Sequence, residues 1–188
     1  MGEKEIIIGM KNGDQQAFKM FVDNYHTNVI RTCLGLLQNM EDAEDIAQDV
    51  FIEVFNSIHT FRSDSSLSTW LYRIAVNKSL NLIRKNKKKQ WLINIETVFT
   101  GRKLSDILPD NTNLIPDNMM IAQEDLLQLR IAINSLPDSQ RVAFTLNKYE
   151  ELSYKEIAEV MKLSLSAVES LIFRAKVGII KKLSPKSG

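Results

Sequence analysis

The sequence has few of the residues that mark a secreted, disulfide-bonded or metal-binding protein. Among 188 residues there is one cysteine, Cys33, so no internal disulfide can form, and the two histidines, His26 and His59, lie far apart in the chain. No run of 18 apolar residues is present, which argues against a membrane-spanning helix. The segment from Met1 to Ile8 lacks the apolar stretch and cleavage site of a secretory signal. These absences predict a cytoplasmic protein.

Residue patterns typical of enzymes are also scarce. The sequence contains no metal-ligand cluster and no glycine-rich phosphate loop. Cys33 falls on the apolar stripe of a predicted helix, where a core position explains it better than a role as a nucleophile. We therefore expect no catalysis, no metal and no cofactor.

Charge is segregated along the chain, although the net charge is only +1. Residues 41–53 carry six acids and no base, whereas residues 73–103 carry nine bases and one acid. Residues 104–129 are again acidic, and all charged side chains in 171–188 are basic. A single electrostatic partner would not need this alternation, so the pattern predicts two partners of opposite preference.

Apolar residues recur at intervals of three and four, and sustained two-residue alternation is absent, which predicts an all-α protein. The expected helices are 4–11, one from Asp14, one from Asn39, 66–88, 117–135, 137–149, 153–161 and 165–183. Between 90 and 117 the helical stripe disappears, and Gly101, Pro109 and Pro116 occur there. We therefore predict two helical domains, 1–90 and 118–188, joined by a flexible linker, 91–117.

The last two predicted helices have the lengths and the three-residue turn of a helix-turn-helix unit. In such a unit the second helix enters the major groove with its N-terminal residues at base edges. The residues in position for this are Ser166, Glu169, Ser170, Phe173 and Arg174, with Lys176 available for phosphates. Glu169 could accept a hydrogen bond from a cytosine amino group or complete a capping box with Ser166. On spacing alone, an ordinary helical hairpin with a solvated basic end remains an alternative.

The helix from Asn39 is predicted to have an apolar face, which includes Phe55, and an acidic opposite face. The residues on that opposite face include Asp42, Asp45, Asp49 and Ile52. Acids in the first turn suit the helix dipole, which explains Asp42 better than the later positions. An acidic stripe around an exposed aliphatic side chain is typical of a docking surface for a basic protein. A solvated helix face is the alternative.

The helix expected at 66–88 carries the opposite charge. Its polar stripe, at intervals of three or four, consists of Arg73, Asn77, Asn81, Arg84 and Lys88. Trp70 lies at the leading end, shortly after a polar loop that begins with Phe61. Basic side chains interleaved with aromatic rings suit a nucleic-acid single strand. The basic groups can follow the phosphates, and the rings can stack on unpaired nucleobases. In the alternative interpretation, Trp70 and Phe61 are core residues and the lysines solubilise the helix end.

These segments, in this order, resemble the extracytoplasmic-function (ECF) subfamily of bacterial RNA polymerase sigma factors. Residues 42–51 resemble the family's polymerase-docking helix, and 61–66 followed by 69–77 resemble its promoter-melting loop and the helix behind it. Residues 136–141, 153–158 and 173–176 resemble its second domain. The resemblance implies sigma domain 2 followed by sigma domain 4. The implied partners are core RNA polymerase, promoter DNA and an anti-sigma factor.

The resemblance also implies roles for individual residues. Phe61 and Asn77 match positions around a pocket for a base flipped out of the minus-ten element, and Trp70 and Arg73 lie at the same DNA-facing end. The residues that match the helix reading the minus-thirty-five element are Ser170, Phe173 and Arg174.

Three positions depart from the family pattern. Glu169 and Leu171 stand where members often carry basic residues, and Lys162 stands where the turn often has glycine. Lys162 would cost about 1 kcal/mol if its backbone is left-handed. These departures affect the expected promoter sequence rather than the expected class.

Two rival classes explain less of the chain. An autonomous helix-turn-helix regulator leaves the acidic helix and the aromatic loop without a role, and such regulators usually dimerise on two half-sites. A helical adaptor protein would not bind DNA at all. The sequence therefore predicts a sigma factor.

Overall fold

The computed structural model describes residues 2–100 and 120–184. Over these ranges the chain forms eight α-helices and one short 3-10 helix, with no strand, which confirms the all-α prediction. The α-helices are α1 (Glu3–Lys11), α2 (Gln15–Leu37), α3 (Met40–Ser57), α4 (Leu67–Thr100), α5 (Met120–Asn134), α6 (Asp138–Tyr149), α7 (Tyr154–Met161) and α8 (Leu165–Leu183). The 3-10 helix, Ile58–Thr60, follows α3.

Side-chain caps place several helix starts where the sequence predicts them. The Asp14 carboxylate accepts hydrogen bonds from two backbone amides in the first turn of α2, and Asn39 caps α3. At α7, Ser153 Oγ accepts from the Glu156 amide at 3.3 Å, while Glu156 Oε2 accepts from the Ser153 amide at 2.8 Å. Each cap satisfies amide groups that the first turn of a helix leaves without a partner.

Helix α4 is longer than predicted. The loss of the apolar stripe after Gln90 predicts an end near Lys88, and this prediction is wrong because the helix continues to Thr100. No proline or glycine occurs between Leu67 and Thr100, and the lysine, glutamine, leucine and isoleucine residues after Lys88 are compatible with a helix. The remaining part of the predicted linker, 101–117, lies outside the described residues.

The first four α-helices, which we call the N-terminal unit, enclose one apolar core. Phe21 of α2, Val50 of α3 and Leu71 of α4 are completely buried in it. Phe55 was predicted to face this core, and that prediction is wrong because its side chain is 55% exposed. Successive helical residues are about 100° apart, which places Phe55 beyond the edge of the face that carries Val50 and Val54.

Helices α5 to α8, which we call the C-terminal unit, pack against the N-terminal unit, and the sequence did not predict this contact. Leu36 and Tyr72 are buried in one cluster with Leu146 of α6 and Ile157 of α7. Gly35 allows α2 and α6 to approach closely, since a Cβ atom at that position would lie 2.6 Å from Cγ2 of Thr145. The two units therefore share an apolar core in this conformation.

Within the described parts of the chain, no helix combines the length and the apolar character that crossing a membrane requires.

Candidate nucleic-acid and polymerase-binding surfaces

The predicted helix-turn-helix unit is formed by α7, the turn 162–164 and α8. Ile157 and Val160 of α7 are buried with Val168 and Ile172 of α8, which fixes the angle between the two helices. Lys162 ends α7 in the left-handed region, with φ 55° and ψ 46°. The backbone strain expected for a residue other than glycine in this turn is therefore present.

The start of α8 decides between the two interpretations of Glu169. Ser164 is the N-cap, and its hydroxyl accepts from the Ala167 amide at 3.2 Å. Ser166 lies inside the helix, so Glu169 cannot complete a capping box with it, and that alternative is wrong. Hydrogen bonding to a cytosine amino group stays a prediction.

The six residues predicted to contact the minus-thirty-five element share the solvent-exposed side of α8. They are Ser166, Glu169, Ser170, Phe173, Arg174 and Lys176. Ser170 and Arg174 border a shallow depression of about 440 Å³ that also includes Ser139 of α6. This side of α8 lies opposite the buried residues Val168 and Ile172.

An exposed apolar stripe extends from the same face and was missed in the sequence. Phe173 is 69% exposed, and Val177 and Ile180 are exposed after it. The spacing of four and three residues is the signal that could have identified this stripe. Phe173 therefore has apolar neighbours on the helix as well as basic ones.

The predicted polar stripe of α4 is present on one face of the helix. Asn77, Asn81, Arg84 and Lys88 are exposed, and Trp70 and Arg73 are partly buried. With about 100° per residue, all six side chains leave the helix within a sector of about 80°. The stripe therefore presents basic and amide side chains along one continuous line, as the sequence predicts.

The middle of this stripe faces the C-terminal unit. Arg73 Nη2 donates to the backbone carbonyl oxygen of Glu159 in α7 at 2.9 Å. Arg73, Asn77 and Arg84 line a cavity of about 520 Å³ together with Lys162 and residues of α6. In this conformation the C-terminal unit covers part of the α4 face on which the sequence predicts a DNA strand.

The loop 61–66, between the 3-10 helix and α4, is exposed in its middle and anchored at its start. Phe61 is only 5% exposed, and its ring lies 5.2 Å from the ring of Trp70, centroid to centroid. Ser63 has a left-handed backbone, with φ 61°. Arg62 and Asp64 on either side of it are exposed. The middle of the loop is thus available to a ligand while Phe61 belongs to the core.

Phe61 and Asn77 are not brought together. Asn77 faces the cavity beside α6 and α7, whereas Phe61 packs against Trp70. Trp70 precedes Asn77 by seven residues, which corresponds to about 10 Å along the helix axis. In this conformation Phe61 is a core residue, as the alternative interpretation expects. Capture of a base by Phe61 would require its ring to leave the core.

The acidic stripe of α3 lies where the sequence predicts it. Asp45 and Asp49 are exposed, Asp42 is partly buried, and Ile52 is 52% exposed. None of these side chains is needed to complete the core of the N-terminal unit.

Next to this stripe, α2 and α3 form an apolar groove of about 530 Å³. Its walls include Phe18, Val22 and Ile30 of α2, and Phe51, Ile52 and Phe55 of α3. The contribution of α2 was missed, although the four-residue spacing of Phe18 and Val22 is a signal for it. Acidic side chains beside an apolar groove can bind an amphipathic basic partner.

No group of three or more histidine, cysteine, aspartate or glutamate side chains in the described ranges could hold a metal ion.

Two family models match the chain. Residues 21–89 match Sigma-70 region 2, and residues 126–177 match Sigma-70, region 4. The chain is 34% identical over 182 residues to the ECF RNA polymerase sigma factor SigW of Bacillus subtilis (strain 168), with 96% of both chains covered.

Two solved structures have a similar fold. CnrH, in complex with the cytosolic domain of CnrY, aligns with a TM-score of 0.71 and 22% identity over 98% of this chain and 99% of that one. The sigma factor RpoE, in complex with the anti-sigma factor NepR from Bartonella quintana, aligns with a TM-score of 0.66 and 20% identity, covering 90% and 98%.

Proposed function

The chain belongs to the ECF subfamily of RNA polymerase sigma factors, and we propose that its oppositely charged surfaces divide the binding of core polymerase and of promoter DNA between them. A sigma factor directs core RNA polymerase to promoters and acts by binding. One observation supports this proposal. The acidic side chains and the apolar groove of α3 lie apart from the basic side chains on the exposed faces of α4 and α8. An autonomous helix-turn-helix regulator would leave the region 2 match at 21–89 without a function.

We propose that α3 docks on core polymerase. Asp42, Asp45 and Asp49 supply negative charge along one side of the helix, and Ile52 borders the apolar groove. A basic amphipathic segment of the polymerase would place its charges on the aspartates and its apolar side chains in the groove. Both components are exposed, so docking needs no rearrangement of the core.

We propose that α8 reads the minus-thirty-five element in the major groove. Ser170 and Arg174 have the central exposed positions, and Lys176 is placed for a phosphate. Ser166, Glu169 and Phe173 complete this surface. Glu169 would favour a cytosine in the site, since its carboxylate can only accept hydrogen bonds and cytosine presents an amino donor in the major groove.

We propose that α4 and the loop 61–66 act on the minus-ten element. Asn77 offers an amide to the edge of an unpaired base, while Arg73, Arg84 and Lys88 can follow the phosphates, with Asn81 between them. Because α7 and α6 lie against this face, DNA binding requires the two units to separate there. Arg73 would exchange its bond to Glu159 for a phosphate. Phe61 is buried inside the N-terminal unit, so capture of a base by its ring requires a separate movement out of that core.

The domain assignment follows from these roles. We propose that 1–90 forms sigma domain 2, that 91–117 is the linker, and that 118–188 forms sigma domain 4, with α4 crossing the first boundary. Core polymerase and promoter DNA are cytoplasmic in bacteria, so we place the chain there. A structural relative was solved with an anti-sigma factor, and we propose a partner of this class for the chain.

The experiment that tests the assignment separates strand opening from binding. With reconstituted holoenzyme, Asn77→Ala should reduce open complexes by about 5- to 160-fold, which corresponds to one or two lost hydrogen bonds worth about 1–3 kcal/mol. Closed complexes should persist, because phosphate contacts and α8 supply that affinity. Permanganate reactivity of unpaired thymines measures opening, and Asn86→Ala, at an exposed position on the opposite side of α4, is the matched control.

Phe61→Ala distinguishes base capture from a purely structural role. If the ring captures a base after leaving the core, a template with an already mismatched minus-ten region should restore part of the lost opening. If Phe61 is only a core residue, the variant should unfold at lower temperature and show no such rescue.

Parent-like opening by Asn77→Ala would show that the assignment of α4 to the minus-ten element is wrong.

A further inference from the structure

Helix α1 contacts both ends of the loop 61–66. At the start of the loop, Lys11 Nζ donates to the backbone carbonyl oxygen of Phe61 at 2.7 Å and lies 5.9 Å from the centroid of its ring. At the far end, Glu3 Oε1 accepts from the backbone amide of Leu67, the first residue of α4, at 3.3 Å. The two ends of one short helix thus hold the two ends of one loop.

The helix that makes these contacts is firmly attached to the core. Ile6 and Met10 of α1 are buried with the other apolar residues of the N-terminal unit. Gly9 allows a close approach to α2, since a Cβ atom there would lie 2.6 Å from Cβ of Ala17. The backbone carbonyl oxygen of Gly9 also accepts from the Asp14 amide at 2.9 Å. These contacts hold α1 in place against α2 and the core, so the helix can support the loop.

Lys11 and Glu3 contribute little to such a support by themselves. Both residues are exposed, and exposed charged contacts add little to the free energy of unfolding. What they do fix is the carbonyl of Phe61 and the amide of Leu67, between which the loop carries the left-handed Ser63 and the exposed Arg62 and Asp64. A loop with pinned ends loses less conformational entropy when it binds a ligand.

We propose that Lys11 and Glu3 are positioning residues for promoter opening, which hold the loop 61–66 in the geometry that engages the melted strand. The inference rests on the proposed function of this loop and of α4. It concerns a helix outside the residues matched to Sigma-70 region 2, which begin at residue 21. Lys11 acts at the Phe61 end of the loop and Glu3 at the α4 end.

The test uses holoenzyme reconstituted from core polymerase and the full chain. Lys11→Met removes the ammonium group but retains a long unbranched side chain, and Lys11→Arg retains a donor. Lys4→Met, an exposed lysine on the same helix, is the matched control for the loss of one positive charge. We expect Lys11→Met to form about three- to tenfold fewer open complexes by permanganate reactivity, because the freed end of the loop must be ordered when the loop engages the strand. Closed complexes and the unfolding midpoint should stay at the parent values, and Lys11→Arg should recover much of the opening.

Four results would overturn the proposal. Equal losses for Lys4→Met and Lys11→Met would indicate a general charge effect, and a matching drop in unfolding midpoint would indicate a purely structural role. Parent-like opening by Lys11→Met, together with a loss for Asn77→Ala, would reject the positioning role but leave the proposed function standing. If neither variant lost open complexes, the proposed function of the loop and α4 would be wrong as well.

Discussion

Arg31 of α2 and Glu150, at the end of α6, form a two-bond ion pair between the N-terminal and C-terminal units. Arg31 Nε donates to Glu150 Oε1 at 3.0 Å, and Nη2 donates to Oε2 at 3.1 Å. The Glu150 side chain is completely buried, whereas that of Arg31 is 46% exposed. Tyr72 donates to the same Glu150 Oε2 at 3.1 Å and accepts from Asn28. A buried carboxylate requires such partners, so this network ties the two units together.

Removing the guanidinium should destabilise the chain. Arg31→Met leaves the Glu150 carboxylate buried with fewer donors, and we expect a loss of about 1–3 kcal/mol in the free energy of unfolding. This is less than for a fully buried pair, because water already screens Arg31. Urea unfolding measures the loss. Lys19→Met, which breaks the exposed pair with Asp23, should change the stability by less than about 0.5 kcal/mol.

The coupling between the two residues is tested by combining variants. Once Glu150→Gln has removed the negative charge, Arg31→Met should cost less than it does in the parent chain. Strictly additive losses would show that the ion pair does not contribute to the contact between the units.

Tyr72 predicts a loss of stability at alkaline pH. Its burial raises the pKa of the phenol to about 12, with the hydrogen bond from Asn28 opposing the rise and the charge of Glu150 adding to it. Because the folded chain holds this proton more tightly than the unfolded chain, the stabilisation is complete below pH 10. It is lost as the pH rises from about 10 to about 12, by at most about 2.7 kcal/mol.

The measurement compares the parent with Tyr72→Phe by urea unfolding between pH 9 and pH 11.5. Lysine deprotonation and the buried Cys33 thiol affect both chains alike, so the difference isolates Tyr72. The parent should lose more stability than the variant over this range. Identical pH dependence in both chains would contradict the assignment.

The sequence predicted the features that depend on local spacing. The helix starts at Asp14, Asn39 and Ser153 and the acidic stripe of α3 each require only residues two to four positions apart. The exposure of the predicted α8 residues follows from the same periodicity.

Contacts between distant segments could not be predicted in this way. The burial of Glu150 depends on Arg31, which is 119 residues away, and nothing near Glu150 in the sequence indicates a partner. The position of Phe61 depends on Trp70 and on α1, so a loop aromatic that looked available for stacking is in the core. The end of α4 was misplaced for a different reason, because residues that favour a helix can extend it beyond the end of its apolar stripe.

Because the backbone of Lys162 is left-handed, a glycine at this position should stabilise the chain. Lys162→Gly should raise the free energy of unfolding by about 1 kcal/mol, since glycine has no Cβ to strain the turn between α7 and α8. Lys155→Gly, inside α7 and exposed, is the matched control and should lower it by about 0.5–1 kcal/mol. Thermal or urea unfolding compares the two. A loss of stability in Lys162→Gly would show that the lysine side chain makes a compensating contact.

If α3 docks on core polymerase, two variants of its surface should weaken the affinity for polymerase with different dependence on salt concentration. Asp45→Lys with Asp49→Lys reverses the exposed acidic stripe and should weaken binding to core polymerase tenfold or more at low salt, an effect on the order of 1.4 kcal/mol. The difference should shrink as salt screens the charges. Ile52→Asn removes apolar contact with the groove, so its loss of affinity should persist at high salt.

Fluorescence anisotropy of labelled chain against core polymerase measures both variants, and Asp23→Lys on α2 is the matched charge-reversal control. The substituted side chains are exposed, so circular dichroism and the unfolding midpoint should remain at the parent values. If the aspartate variant alone is weakened, charge attracts the polymerase but the groove is not occupied. If Ile52→Asn alone is weakened, the groove is the contact and the acids only solubilise α3. Parent-like affinity in both variants would place the polymerase contact on another face, because a docking surface cannot lose both its charge and its apolar centre without effect.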